Sequence, residues 1–301
     1  MRKLIIFTLV GFFAQLIDGA LGMSYGLTSS TLLIAYGVAP AVVSSSIHMA
    51  EIATTAVSGY SHYKFDNIDK KLVLPLIIPG SISAFLGAAF LSSLPGEKIK
   101  PFISIFLLLL GVYIVARFLL MKTSNEKRRE VPVKNCFLYP LGALAGFFDA
   151  VGGGGWGPIN TPVLLSRKGA LPRKVIGTVD TTEFAITISA TLGFLLFLGW
   201  EQLHWLWVVS FMIGGVAAAP LAAWLVRIVP PFILGVGAGG FIILTNLRTL
   251  LLALNIPADL MVLIYVVMVL GWVAAIIASI RKNFHFQKRE RIVEPKGENF
   301  G

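Results

Sequence analysis

The chain has 301 residues, 56% of them hydrophobic and only 13% charged, with a mean hydropathy of +0.82. A soluble domain carries about a quarter charged residues, so this composition excludes an ordinary soluble fold. The net charge of +10 does not mark a nucleic-acid surface, because the basic residues sit in short connections and in the tail after Ile280 ("RKNFHFQKRERIVEPK"), where membrane topology is written.

The opening "MRKLIIFTLVGFFAQL" has a charged start and an apolar core, like a signal peptide, but the following "IDGALG" is a poor cleavage site and the segment reads as retained. It leads into "QLIDGALGMSYGLTSS" at 15–30, where an aspartate and glycines interrupt the apolar run. Apolar stretches follow at 41–62, 72–94 and 101–121. A second interrupted motif, "GFFDAVGGGGWGPINT" at 146–161, precedes further stretches at 175–198, 205–226, 231–254 and 258–280. Each stretch is long enough to cross a hydrocarbon core of about 30 Å as a helix. The single cysteine, Cys136, allows no intramolecular disulfide and no thiolate metal cluster.

The interrupted motifs are copies. Pairing Gly11 with Gly142 sets Asp18 on Asp149, Gly22 on Gly153 and Gly26 on Gly157. One inserted residue continues the match through Gly37/Gly169, Pro40/Pro172, Glu51/Glu183 and Thr55/Thr187, and three more reach Gly80/Gly215 and Pro95/Pro230. The chain reads as an internal duplication of roughly 130 residues. If each motif is a bent helix pair that enters and leaves by one face, three full crossings follow in each half. Nineteen basic residues then fall inside and four outside, with Arg117 and Arg248 within apolar segments. That split sets the N-terminus outside and the C-terminus in the cytoplasm.

The expected fold class is an all-α polytopic membrane protein. It has two inverted-topology repeats, each a glycine-broken helix pair plus three transmembrane helices, and one extra C-terminal transmembrane helix. The boundaries are repeat 1 at 1–122, a basic cytoplasmic linker at 123–136, repeat 2 at 137–254, the extra helix at 255–280 and a basic, solvated tail at 281–301. Inverted repeats with interrupted helices are a recurrent plan of secondary transporters, with the substrate held near the midplane.

Each glycine costs a helix about 1 kcal/mol, and unwound backbone in lipid must be sheltered. The breaks are therefore expected to leave free amides and helix N-termini facing a central cavity that favours an anion. Candidate substrate-binding residues are Gly22, Met23, Ser24, Tyr25, Thr28 and Ser29 in the first copy, with Gly153, Gly154, Gly155, Trp156, Asn160 and Thr161 in the second. Gly11, Gly80, Gly87 and Gly214 read as packing residues. Replacing Gly154 with valine is expected to abolish transport and leave folding largely intact.

Glu51 and Glu183 lie at matched positions in apolar spans, where ionisable groups are functional candidates. On a helix His48, Glu51 and Thr55 share one face, as do Asp180, Glu183 and Thr187. Two roles stay open for Glu51 and Glu183, proton exchange and bracing of the breaks. Asp18 and Asp149 lean to bracing, as caps for free amides. A single His48-x-x-Glu51 is a weak metal signal, so no metal and no cofactor is expected. His62, His204 and His285 read as interfacial.

The paired "GFFAQLIDGALGMSYGLTSSTLL" and "GALAGFFDAVGGGGWGPINTPVLL", each followed by a lone glycine, a proline and a helix with small residues, resemble the TauE/SafE family of sulfite and organosulfonate exporters over about residues 5–254. The resemblance implies a permease of the bacterial cytoplasmic membrane with inverted halves, moving a small sulfur-containing anion such as sulfite or sulfoacetate. The first copy departs from the family's glycine triplet, with Leu21-Gly22-Met23-Ser24 against four glycines in the second. The leading expectation is thus an exporter of a small anion, bound between the two breaks, and not an enzyme; coupling to protons stays open with the two roles of Glu51 and Glu183. The alternatives are an ion or proton channel lined by Glu51 and Glu183, and a membrane metal-handling or enzyme subunit. The expected partners are the anion and membrane lipid. Small-residue faces at 80–89 and 214–223 leave a homodimer open.

Overall fold

The computed structural model describes residues 2–23, 25–120, 134–165, 170–225 and 231–293. Within them the chain runs through α1 (Arg2–Leu21), α2 (Tyr25–Ala35), α3 (Pro40–Lys64), α4 (Lys70–Ser92), α5 (Gly96–Leu120), α6 (Asn135–Gly152), α7 (Trp156–Leu165), α8 (Pro172–Phe197), α9 (Trp205–Leu225), α10 (Pro231–Ala253) and α11 (Ala258–Val293), with no strand among the described residues. Seven of these helices are long and apolar enough to cross a membrane. The protein is a multi-pass helical membrane protein.

The breaks fall where the glycines stand. Gly22 and Gly153, at matched positions, end α1 and α6 in the left-handed conformation, with φ of 67° and 68°. Glycine takes that conformation without a Cβ penalty. The Gly153 N–H closes the last turn of α6 by donating to the Asp149 carbonyl, 2.8 Å away. Neither α2, with 11 residues, nor α7, with 10, can span a bilayer, since each residue rises about 1.5 Å. α2 instead turns back along α1. Tyr36, just past its end, meets Phe7 near the start of α1 edge-on, with ring centroids 5.9 Å apart.

Contacts across the halves set the directions of the helices. Gly11 packs on Phe211 and Gly19 on Ala222, so α1 and α9 run parallel. Gly142 meets Leu76 and Gly146 meets Gly80, so α6 and α4 also run parallel. By contrast Gly59 faces Thr181 while His62 lies beside Gly177, and Gly111 faces Ile242 while Gly235 meets Phe118. α3 therefore runs against α8, and α5 against α10. These close approaches need glycine: a Cβ on Gly11 or Gly142 would sit 2.7 or 2.8 Å from a backbone carbonyl of the neighbouring helix.

α3 is missing from the helices apolar enough to span, although it has 25 residues, and α8 reaches a mean hydropathy of only 1.3. Both are central, and their polar side chains face protein instead of lipid: Ser44, His48, Glu51, Thr55, Ser58, His62, Asp180, Glu183 and Thr187 are all buried. α11 lies outside this core, held to α10 by the Trp272 indole, which donates to the Val236 carbonyl at 3.0 Å. It continues as helix to Val293, past the expected end of the span at residue 280. The added residues contain good helix formers and neither glycine nor proline, which first returns at Pro295.

Candidate functional site at the crossing of the broken helices

The two breaks lie directly against each other. A Cβ on Gly26 would fall 2.6 Å from the Gly154 Cα, and one on Gly157 would fall 2.6 Å from the Met23 Cα. The contact is reciprocal. The Ser30 hydroxyl donates to the Gly153 carbonyl, and the Thr161 hydroxyl donates to the Gly22 carbonyl, each at 2.6 Å. Ser30 and Thr161 are matched positions, so each half supplies a hydroxyl to the other half's break. Ser24 lies outside the described residues.

Asp149 occupies the N-terminus of α7. Its Oδ1 accepts from the Gly155 and Trp156 amides, at 2.7 and 3.0 Å. Its Oδ2 lies 3.0 Å from His48 Nε2 on α3. The other ring nitrogen, His48 Nδ1, is 2.8 Å from the Ser44 carbonyl, which can only accept. The Ser44 hydroxyl is engaged as a donor to the Ala150 carbonyl at 2.5 Å, so Nδ1 faces acceptors and carries the hydrogen. The pair then holds one proton between Nε2 and the carboxyl, as an imidazolium beside a carboxylate or as a neutral ring beside a carboxylic acid.

Asp18 stands at the matched place before α2, with one Oδ1 bond from the Tyr25 amide at 3.3 Å. Its partner from the other half is not a histidine but Asp180, which occupies the position matched to His48. Carboxylate oxygens of Asp18, Asp180 and Glu183 lie within 4.8 Å of one another. Asp180 Oδ2 also accepts from the Ser58 hydroxyl and lies 3.3 Å from His62 Nε2. Glu51 points at the crossing itself: its Oε1 lies 3.1 Å from where a Gly26 Cβ would be. Both Glu51 oxygens are buried without a hydrogen-bond partner among the described residues. Asp18, Glu51, Asp149, Asp180 and Glu183 are close enough to interact electrostatically, and no lysine or arginine is buried among the described residues.

Three expectations change. First, the amides at Tyr25, Gly155 and Trp156 are not free, because an aspartate six or seven residues upstream reaches round each break to accept from them. Second, the breaks do not open on a cavity in this state but touch, since glycines with no side chain let the backbones meet. Third, His62 is not interfacial but fully buried against Asp180. Its signal was present in the sequence: positions 48, 51, 55, 58 and 62 continue one helical face. The hydroxyls of Thr55 and Thr187 turn back to their own helices, on the Glu51 and Phe184 carbonyls.

The remaining candidates line the same core. Met23, Tyr25, Thr28, Ser29, Trp156, Asn160 and Thr161 are buried. Tyr25 donates through its hydroxyl to the Phe211 carbonyl, and the Trp156 indole to the Val179 carbonyl, each at 3.0 Å, which fixes both rings as packing groups. Thr28 Oγ1, Ser29 Oγ and Asn160 Oδ1 have no partner among the described residues.

The model of the family described as sulfite exporter TauE/SafE matches residues 7–249, a range that takes in both broken-helix pairs and all the carboxyls above. The chain belongs to the TauE/SafE family. It is 56% identical over 282 residues to the probable membrane transporter protein YtnM of Bacillus subtilis (strain 168), covering 94% of each chain. It is 24% identical over 219 residues to the probable membrane transporter protein YdhB of the same organism, covering 72% of this chain and 86% of that one. No solved structure matches. This TauE/SafE member is a membrane transporter and not an enzyme.

Proposed function

We propose that the protein is a proton-coupled secondary transporter of a small sulfur-containing anion, sulfite or an organosulfonate, and that it binds this anion at the crossing of the breaks. The observation that carries the reading is the Asp149 carboxylate on the Gly155 and Trp156 amides. A carboxylate held by two amides at a helix N-terminus occupies a site suited to an oxyanion. In the closed state described, the protein's own acid fills that site. When the Asp149–His48 pair takes up a second proton, the carboxylic acid and the imidazolium each turn a hydrogen on the other, the contact parts and the amides become available to a free anion. The proton and the anion then share one site with little change in charge.

Five buried carboxyls facing two imidazoles cannot all be ionised without a large desolvation cost. Protons therefore belong to the site, with Glu51 and Glu183 among their holders. The antiparallel pairing of α3 with α8 and of α5 with α10 supports inverted halves related across the membrane, and alternating access follows from rocking one half on the other. The distribution of basic residues supports an inner-membrane protein with the N-terminus outside and the C-terminus in the cytoplasm. The sulfur-oxyanion cargo rests on the family to which the chain belongs, and export is the direction its description carries.

Counterflow in proteoliposomes tests this reading. Radiolabelled sulfite is expected to accumulate against preloaded sulfite and to respond to an imposed proton gradient. Absence of flux with sulfite, sulfoacetate and taurine under both proton and anion gradients would overturn the cargo.

A further inference from the structure

The matched aspartates are partnered differently. Asp149 is saturated by two amides and His48, and the far nitrogen of His48 is closed off by Ser44. Asp18 and Asp180 are not saturated: Asp18 Oδ2 and Asp180 Oδ1 are buried with no partner among the described residues. We propose that Asp18 and Asp180 hold the coupling proton between them, and that His62 exchanges it with the side of the membrane where the α3–α4 connection lies. The proposal rests on the proton-coupled carrier reading above.

Two adjacent carboxylates repel, and a single proton shared between them supplies the donor that both lack. The groups facing Asp180 are Ser58 and His62 from α3, Asp18 from α1 and Glu183 from its own helix, with Glu51 and Asp149 beyond them. Of these, His62 alone leads outward. Its Nδ1 lies 3.1 Å from Asn67 Nδ2, and Asn67 Nδ2 also lies 3.3 Å from the Ala223 carbonyl. Turned the other way, the amide would set its oxygen against that carbonyl, so Asn67 donates and His62 Nδ1 accepts. The ring hydrogen is therefore on Nε2, which lies 3.3 Å from Asp180 Oδ2 but makes no hydrogen bond among the described residues in this state.

Asn67 belongs to the short α3–α4 connection, beside a surface hollow of about 300 Å³ lined by Tyr63, Lys64, Asp66, Ile68 and Lys70. A proton that reaches Nδ1 when Asn67 swings aside leaves from Nε2 to Asp180 Oδ2. The ring ends neutral in its other tautomer, and the carboxyl pair gains the proton. The other half has no counterpart route, because the residue matched to His62 is Phe194. The asymmetry makes the Asp18–Asp180 pair the exchanging one and the Asp149–His48 pair the anion-releasing one.

His62→Gln is a clean probe. Glutamine keeps an acceptor for Asn67 and a donor for Asp180 but takes up no proton. Infrared pH-difference spectra of the full-length protein in lipid are expected to show a carboxylic C=O band that Asp18→Asn and Asp180→Asn each remove. In His62→Gln the band persists but appears at least about 10-fold more slowly after a pH jump. A band that survives both asparagine substitutions, a jump rate unchanged in His62→Gln, or a band that follows sodium at fixed pH would each overturn the proposal. If the asparagine variants do not fold by circular dichroism, the His62→Gln rate decides alone. The spectra use no anion, so failure of wild-type sulfite counterflow defeats the cargo reading separately.

Discussion

Replacing Gly154 with alanine is expected to destabilise the protein by roughly 2–6 kcal/mol and to abolish transport. Two causes add. Gly154 has φ of 149°, outside the range that side chains tolerate, which costs about 1–3 kcal/mol. Its Cβ would also lie 2.8 Å from the Gly26 Cα and nearer still to other backbone atoms of the same turn. Backbone cannot swing aside as a flexible side chain can, so the crossing must part, at a further cost of about 1–3 kcal/mol. The expectation from sequence that Gly154→Val spares the fold is therefore replaced: the glycine serves the closed packing as well as any opened site. Gly237→Ala in α10 is the control, because nothing lies within 4 Å of its added Cβ, and there alanine should gain up to about 1 kcal/mol in helix propensity. Thermal unfolding followed by circular dichroism in detergent separates the two. A Gly154→Ala protein as stable as wild type would mean that the breaks do not touch in the resting state.

Much of this architecture was legible because its signals are local. A left-handed glycine after an aspartate ends a helix wherever it occurs, so the matched Gly22 and Gly153 marked both breaks. The first helical residues after the breaks, Tyr25 and Trp156, stand at matched positions inside the two motifs. The spacing of His48 with Glu51 and of Asp180 with Glu183 was likewise enough to group each pair on one face. What the sequence hides is which half answers which. Asp149 meets His48 across 101 positions and Asp18 meets Asp180 across the duplication, and such contacts follow from antiparallel helix packing that no local window contains. The same holds for the fate of the freed amides. The sequence marks Asp18 and Asp149 as caps for the freed amides but does not show that they fill the helix N-termini expected to face an anion. His62 was misplaced for a related reason. It lies two residues from the end of α3, where exposure is usual, but the neighbouring α8 begins opposite it and covers that end.

Asp149→Ala is expected to cost about 3–5 kcal/mol, as removal of one member of a buried hydrogen-bonded pair does, whereas Asp149→Asn should stay within about 1 kcal/mol of wild type. Alanine leaves the Gly155 and Trp156 amides without an acceptor and His48 Nε2 without a partner. Asparagine replaces all three bonds. Its carbonyl oxygen takes the place of Oδ1 on the two amides, and its NH₂ donates to His48 Nε2. That last bond requires a neutral ring with its hydrogen on Nδ1, which the Ser44 carbonyl at 2.8 Å already holds in place. The asparagine protein should therefore fold with the same thermal midpoint and still fail to transport, because an amide cannot lose a proton to return a negative charge to the α7 N-terminus and expel the anion. Stability and flux are thus expected to separate in one variant and fall together in the other. Equal destabilisation by alanine and asparagine would instead show that the resting pair is an imidazolium and a carboxylate whose charges themselves hold α3 to α6. Full transport by Asp149→Asn would remove Asp149 from the release step.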